Sequence, residues 1–263
     1  MVIKNMINTI LFDLDGTLLP LSQDDFIPPY FKGLGKVFAK LGIDPEAASK
    51  AVWAGTKAMV LNDGTMPNSQ RFWGTFAKIM EIDNVKLAEV ETATDEFYIG
   101  EFGEIIKSII EPHEKRLSQR IISALFESGK FELVLATNPL FPLCAVESRL
   151  QCLGINPAHF KLITHYGNST FCKPNLGYYQ EIFAKQEPSG EFSSPKGLTK
   201  LNINPEQCLM VGNNTVEDLC VGELGVKTFL ITDFIENAEN IDYKPTYKGT
   251  LAEFEMFVSE LTR

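Results

Sequence analysis

The chain has 263 residues, 34 acidic against 24 basic, a formal net charge of −10 and 44% apolar side chains. That length suits one core with a smaller insertion, and the apolar share excludes disorder as the main state. The acidic balance argues against nucleic acid or an anionic membrane as a partner, since both need a positive face. A small anionic substrate stays open, and a monomer or small homo-oligomer is expected.

Ile7 to Asp13 is a short apolar run, rich in β-branched side chains, that stops at a Gly-Thr turn; this is the pattern of a buried parallel strand. From Asp25 to about Gly103 the period becomes helical. Phe31, Leu34, Val37, Phe38 and Leu41 recur at helical spacing, Ala47 to Leu61 forms a second helix after Pro45, and Asn68 is placed to cap a third that carries Phe72, Trp73, Phe76 and Ile79. No strand is predicted between Gly33 and Glu111. Beyond Pro112, helix and strand alternate. A helix from Glu114 to Glu127 ends at Gly129, a strand spans Phe131 to Ala136, and a helix from Leu140 to Leu153 stops at Gly154. A short strand, Lys161 to Thr164, and a helix, Asn175 to Lys185, follow; Glu187 to Lys200, polar with prolines and glycines, is predicted to be a surface loop. Strands at Cys208 to Val211 and Thr228 to Ile231 flank a helix from Val216 to Leu224, and an amphipathic helix from Leu251 to Leu261 comes last.

Parallel strands need crossover connections, so this order predicts a doubly wound, Rossmann-like α/β sheet with helices on both faces. The helical stretch, residues 21–111, interrupts it as an inserted α-helical cap domain, leaving residues 1–20 and 112–263 as the core. The five cysteines include no C-x-x-C pair and are expected to be reduced and packed. His113, His159 and His165 lack the spacing of a zinc site. Asp13 and Asp15 interrupt the N-terminal apolar stretch, which argues against a secretory leader, and no segment supplies the roughly 20 apolar residues of a membrane span. A cytoplasmic protein is expected.

Ligands of doubly wound sheets bind outside the C-terminal ends of the strands, and each motif that carries chemistry follows a predicted strand. In Asp13-Leu14-Asp15-Gly16-Thr17, two carboxylates one residue apart can both reach a site above the strand end, and Gly16 lets the chain bend away. Calcium loops and plain turns also use D-x-D-G, although Leu18-Leu19-Pro20-Leu21 supplies none of the further oxygens that a calcium loop requires. Thr137-Asn138-Pro139 offers a hydroxyl and helix-start amides to an anion, or simply caps the helix. Lys173, held extended before Pro174, can aim a fixed charge at phosphate; alone, such a lysine is usually solvated. Gly212-Asn213-Asn214-Thr215-Val216-Glu217-Asp218 gathers oxygens that suit a hard cation, and the same residues are ordinary at a helix N-terminus. Four such sites in this order make coincidence a poor explanation.

Through FDLDGTL at Phe12 to Leu18, LATNP at Leu135 to Pro139, CKP at Cys172 to Pro174 and VGNNTVED at Val211 to Asp218, the sequence resembles the haloacid dehalogenase superfamily of phosphohydrolases. The long interval between the first two motifs accommodates the helical cap of many members; the short one from Lys173 to Asn213 leaves no room for the large α/β cap of others. The resemblance implies a Mg²⁺-dependent phosphatase acting on a small phosphorylated metabolite. Asp13 would be the nucleophile, Asp15 the acid and then base, Thr137, Asn138 and Lys173 the phosphate binders, and Asp13, Asp15, Asn213 and Asp218 the metal ligands. Asn213 departs from the aspartate common at that position and offers a neutral oxygen. Asp15 argues against a dehalogenase, because a departing halide needs no acid. Arg71 and Trp73, with the Asn62-Asp63-Gly64 turn, are the cap residues most eligible to contact substrate, although Trp73 and Phe76 at helical spacing also suit a cap core. A phosphomutase with the same nucleophile and a non-catalytic phosphate-binding protein remain as alternatives.

Overall fold

Thr9–Phe12, four residues that are all buried, form the central strand β1. Glu132–Leu135 (β2), Leu162–Ile163 (β3), Cys208–Gly212 (β4), Lys227–Ile231 (β5) and Tyr247–Gly249 (β6) complete one sheet in the order β3-β2-β1-β4-β5-β6, every pairing parallel. The computed structural model describes residues 7–110, 112–184, 203–237 and 243–263, and the loop predicted at Glu187 to Lys200 lies outside them. Ile10, Phe12, Leu133, Leu135, Leu209 and Val211 pack into the core on one face, while Leu11, Val134 and Met210 pack into the core on the other. Burial on both faces explains why these strands read as continuous apolar runs rather than as an alternation.

Among the described residues, six helices lie between β1 and β2: α1 (Gln23–Lys40), α2 (Pro45–Val60), α3 (Asn68–Met80), α4 (Asn84–Ile99), α5 (Glu101–Ile109) and α6 (Pro112–Ser128). They are followed by α7 (Leu143–Cys152), α8 (Leu176–Ala184) and α9 (Leu251–Leu261). The doubly wound α/β class predicted from the sequence is what the chain adopts. Helices α4 and α5 pack on α7, which follows β2. Helix α8 sets Tyr178, Tyr179 and Ile182 against Leu11, Val134 and Met210. Helix α9, with a capping box between Thr250 and Glu253, inserts Phe254 edge-on against Phe12 and Phe229 on the opposite face. No helix among the described residues is long and apolar enough to cross a membrane.

Three local expectations are corrected. Helix α1 begins at Gln23, capped by Ser22, and Pro28 and Pro29 fall inside it, where their missing N–H groups mask the early turns from a pattern-based reading. Asn68 does not cap α3: Pro67 holds that position, and the Asn68 side chain turns inward to donate to the carbonyls of Pro139 and Phe171 and to Cys172 Sγ. The helix expected from Val216 to Leu224 is a run of turns ending in a short 3-10 helix, Cys220–Leu224. There the Glu217 carbonyl is engaged by the Tyr179 hydroxyl and Cys220 Sγ instead of continuing an α-helical ladder. Strand β6 had no signal, being three residues of edge sequence around a lysine.

Candidate active site

Strand register brings the separate motifs to one edge. Phe12 is level with Leu135 on one side and Val211 on the other. The ladder continues one step further, with Ala136 N donating to Phe12 O at 2.7 Å and Asp13 N to Val211 O at 2.9 Å. Asp13, Thr137 and Asn213 therefore leave the C-terminal ends of three adjacent strands together. This is where the strand order reverses about β1, the crevice in which doubly wound sheets hold ligands.

Lys173 closes the floor from below. Its side chain is fully buried and donates to Asp13 Oδ1 at 2.8 Å and to Asp218 Oδ1 at 2.6 Å. Burial works against the lysine's proton, but the two carboxylates outweigh it and hold the ammonium well above the ordinary lysine range. One ammonium between two carboxylates leaves a surplus of negative charge in a buried site. Burial accordingly pushes Asp13 up to about 8, Lys173 pulling it down while the Asp218 and Asp15 carboxylates push it up. Burial likewise pushes Glu217 up to about 7, against the pull of Lys173.

That surplus, carried by hard oxygens, fits a divalent cation. Among the described residues no three His, Cys, Asp or Glu side chains are gathered as a ready-made cage, but Mg²⁺ needs only one or two carboxylates, with water and substrate phosphate completing its shell. Asp13 and Asp218 would supply the charge and Asn213 the amide oxygen. The Asn213 oxygen accepts from Thr17 Oγ1 at 3.1 Å, and the same hydroxyl reaches Asp13 Oδ2 at 3.4 Å. The Asn213 amide nitrogen donates to the carbonyl of Phe234 at 2.5 Å. An aspartate at 213 would set a carboxylate oxygen against that carbonyl, so the neutral side chain suits this position. Asn214 holds an Asx turn, its Oδ1 accepting from the amides of Val216 and Glu217.

Two glycines make these approaches possible. At Gly212 an added Cβ would stand 2.2 Å from Asp218 Oδ2, so glycine lets that carboxylate fold back over the strand end. Gly16 has φ +76°, and its Cβ would meet the Asn213 amide nitrogen at 2.2 Å. Gly16→Ala combines a left-handed backbone with a clash and is expected to cost about 2 kcal/mol or more, read as a lower urea midpoint at unchanged m-value.

The other carboxylate has a partner that the sequence did not suggest. Arg149 on α7 is buried, and its Nη1 donates to Asp15 Oδ2 at 2.5 Å. Nε donates to Ala145 O at 3.2 Å, and the guanidinium lies 4.5 Å from the Phe141 ring centroid. Asp15 remains partly exposed, facing a cavity of about 220 Å³ that Asp13, Thr137, Asn138, Asn213 and Asp218 also line. Asn138 donates one amide N–H to Glu217 at 3.0 Å. The Thr137 carbonyl accepts from the hydroxyls of Tyr178 and Thr164, so α8 braces the phosphate-binding candidates from beneath. Helices α1, α2 and α3 form the opposite side of the cavity. Trp73 reaches it; Arg71 does not, being turned into the Asn62-Asp63-Gly64-Thr65 turn, where it pairs with Asp63 and donates to Asn62 Oδ1.

No family model matches the chain, and no curated protein matches it in sequence. Solved structures do match along nearly the whole chain. YfnB from Bacillus subtilis, assigned to the HAD-hydrolases and bound to magnesium, superposes with a TM-score of 0.54 at 19% identity, covering 96% of this chain and 99% of that one. A 2-haloacid dehalogenase from Pseudomonas syringae pv. tomato gives 0.60 at 14% identity, with 97% and 99% covered. A predicted phosphoglycolate phosphatase from Haemophilus somnus gives 0.53 at 17%, with 96% and 98% covered. The chain has the haloacid dehalogenase fold.

The neighbours that share the haloacid dehalogenase fold include a 2-haloacid dehalogenase and a predicted phosphoglycolate phosphatase, so the fold leaves the chemistry to the site residues. Asp13, Asp15, Thr137, Asn138, Lys173, Asn213 and Asp218, chosen from the sequence, are brought to one strand edge, whereas Arg71 is not. Arg149 and Thr17 were missed, as was Glu236, which lines the cavity and accepts from Asn214 Nδ2 at 3.2 Å. For Arg149 a signal existed: it lies four residues after Ala145 and three after Val146, a charge on the apolar face of its helix.

Proposed function

We propose that the protein is a Mg²⁺-dependent phosphatase that hydrolyses a small phosphate monoester through an aspartyl-phosphate on Asp13. The observation that carries this is the buried Lys173 bridging Asp13 and Asp218 at one strand edge, with the Asp15 carboxylate facing the same cavity. A bound Mg²⁺ held by Asp13, Asp218 and Asn213 would supply the positive charge that lets a carboxylate and a phosphate dianion approach. The chain's own residues do the rest. Lys173 fixes Asp13 Oδ1 and leaves Oδ2, which receives a longer bond from Thr17, to attack phosphorus. Asp15 has to enter this step carrying a proton, which it gives to the leaving oxygen as the ester bond breaks; it regains one from the water that attacks the aspartyl-phosphate, releasing inorganic phosphate and closing the proton cycle. The five helices after β1 act as a lid that keeps bulk water from the floor.

A 2-haloacid dehalogenase fits less well. Its substrate carries a carboxylate, and among the described residues no lysine or arginine lines the cavity. The test is hydrolysis of p-nitrophenyl phosphate by the full chain with Mg²⁺ and after chelation. Turnover is expected to fall by about 100-fold or more with chelator and to return with added Mg²⁺; undiminished turnover in chelator would remove the cation from the mechanism. A phosphomutase would show the phosphoryl group reappearing on a second hydroxyl by phosphorus NMR, in place of inorganic phosphate.

A further inference from the structure

The cavity is polar on its sheet side and apolar elsewhere. Its charged lining residues are Asp13, Asp15, Glu217, Asp218 and Glu236, all acidic and all on segments that follow β1 or β4 and β5. The opposite walls come from Phe31, Trp53, Phe72, Trp73 and, from the segment after β2, Phe141. Trp53, half exposed, stacks on Phe31 with centroids 5.2 Å apart.

Most of the polar groups that these walls contain already hold a hydrogen bond, to one another or to their own helix backbone. The hydroxyls of Tyr30 and Tyr98 share a bond of 2.7 Å, and Trp73 Nε1 donates to the Tyr166 hydroxyl at 3.3 Å. Thr56 Oγ1 donates to Val52 O at 3.0 Å, and Thr94 Oγ1 donates to Val90 O. Gln23 Nε2 donates to Glu236 at 3.2 Å. A sugar or ribose placed against these walls would bury hydroxyls with few partners, which is costly; among the described lining residues the buried acceptor left unpaired is Asn138 Oδ1, beside Thr137 on the phosphate side. A second anionic group would meet acidic residues and no basic one among the described residues.

We infer that the alcohol released is apolar and uncharged, a single aromatic ring or a compact branched aliphatic group, held between the aromatic walls of α1, α2 and α3 while its phosphate lies on the floor. This rests on the phosphatase reading and names its substrate class. At about 220 Å³ the cavity is smaller than the roughly 300–1,000 Å³ of drug-sized sites, which favours one ring over a long chain. Walls of this kind discriminate through the apolar area they cover and through the hydroxyls they leave unpaired.

The experiment compares benzyl phosphate and cyclohexylmethyl phosphate with glucose 6-phosphate and phosphoglycolate, using the full chain and Mg²⁺. All four are esters of primary alcohols, so a difference reports the site more than leaving-group strength. The two apolar esters are expected to exceed the others in kcat/KM by about 30-fold or more. Glucose 6-phosphate or phosphoglycolate turned over as well as benzyl phosphate would overturn the substrate class and leave the phosphatase intact. The chain's two tryptophans, Trp53 and Trp73, both line the cavity, so binding can be read without turnover. Quenching of their fluorescence by 4-nitrobenzylphosphonate is expected. If no ester is hydrolysed and the phosphonate still quenches, the phosphatase reading fails while the apolar ligand class stands; if it does not quench, the apolar class fails too.

Discussion

Asp13→Asn is expected to lower phosphate-ester turnover by roughly 10⁴-fold or more, as loss of a covalent nucleophile does elsewhere, with the fold intact. The amide is nearly isosteric and keeps an oxygen for the Lys173 ammonium, which donates to Asp13 Oδ1 at 2.8 Å. It removes the negative charge that Asp13 carries in its ionised, attacking form from a floor where two buried carboxylates share one lysine. Electrostatics therefore predicts a thermal midpoint unchanged or raised, whereas deleting one partner of a balanced buried pair lowers it. Activity and midpoint must be measured together. A silent, stable variant supports covalent catalysis, as would a phosphate adduct seen by intact mass on the wild type and absent from the variant. Residual turnover within tenfold of wild type would mean that Asp13 is not the nucleophile.

How much of this was visible in the sequence depended on range. The strand β1 and the carboxylate pair that follows it are local: a buried run, a glycine at positive φ and two acids one residue apart. The helices α1 to α3 were legible for the same reason, since their apolar spacing survives whatever they pack against. Asn68 shows the limit. Its composition suits a helix cap, but the structure uses its amide to tie the start of α3 to the carbonyl of Phe171, two residues before Lys173. That choice depends on residues about a hundred positions away and leaves no local trace. The stretch from Val216 to Leu224 failed in a related way, because helical spacing cannot register that the Glu217 carbonyl is claimed by Tyr179 from α8. Asn213 looked like a weakened metal ligand by composition alone. Its amide nitrogen has its own acceptor on Phe234, a requirement that only the folded chain reveals.

Arg149→Met tests whether the buried guanidinium serves Asp15 or merely fills the core. Met matches much of the volume and removes the charge. Asp15, with 38% of its side chain exposed, can be rehydrated, so the loss should stay near 1–2 kcal/mol rather than the roughly 3–5 kcal/mol of a stranded buried charge. The catalytic effect should be larger. An ion-paired carboxylate is a base held in place, and the step that needs a base is the attack of water on the aspartyl-phosphate. Formation of that intermediate from p-nitrophenyl phosphate needs little help, because p-nitrophenolate departs as a stable anion. The variant is therefore expected to release a burst of p-nitrophenolate stoichiometric with enzyme and then turn over with kcat lowered roughly 10- to 100-fold, part of the 10²–10⁴ that a placed acid–base group contributes. KM should fall in parallel, leaving kcat/KM nearly unchanged. Arg149→Lys should not rescue kcat, since an ammonium cannot reach Ala145 O and Asp15 at once as the planar fork does. A fall in kcat/KM equal to that in kcat, without a burst, would place Arg149 behind the nucleophile or the fold and end its assignment to Asp15.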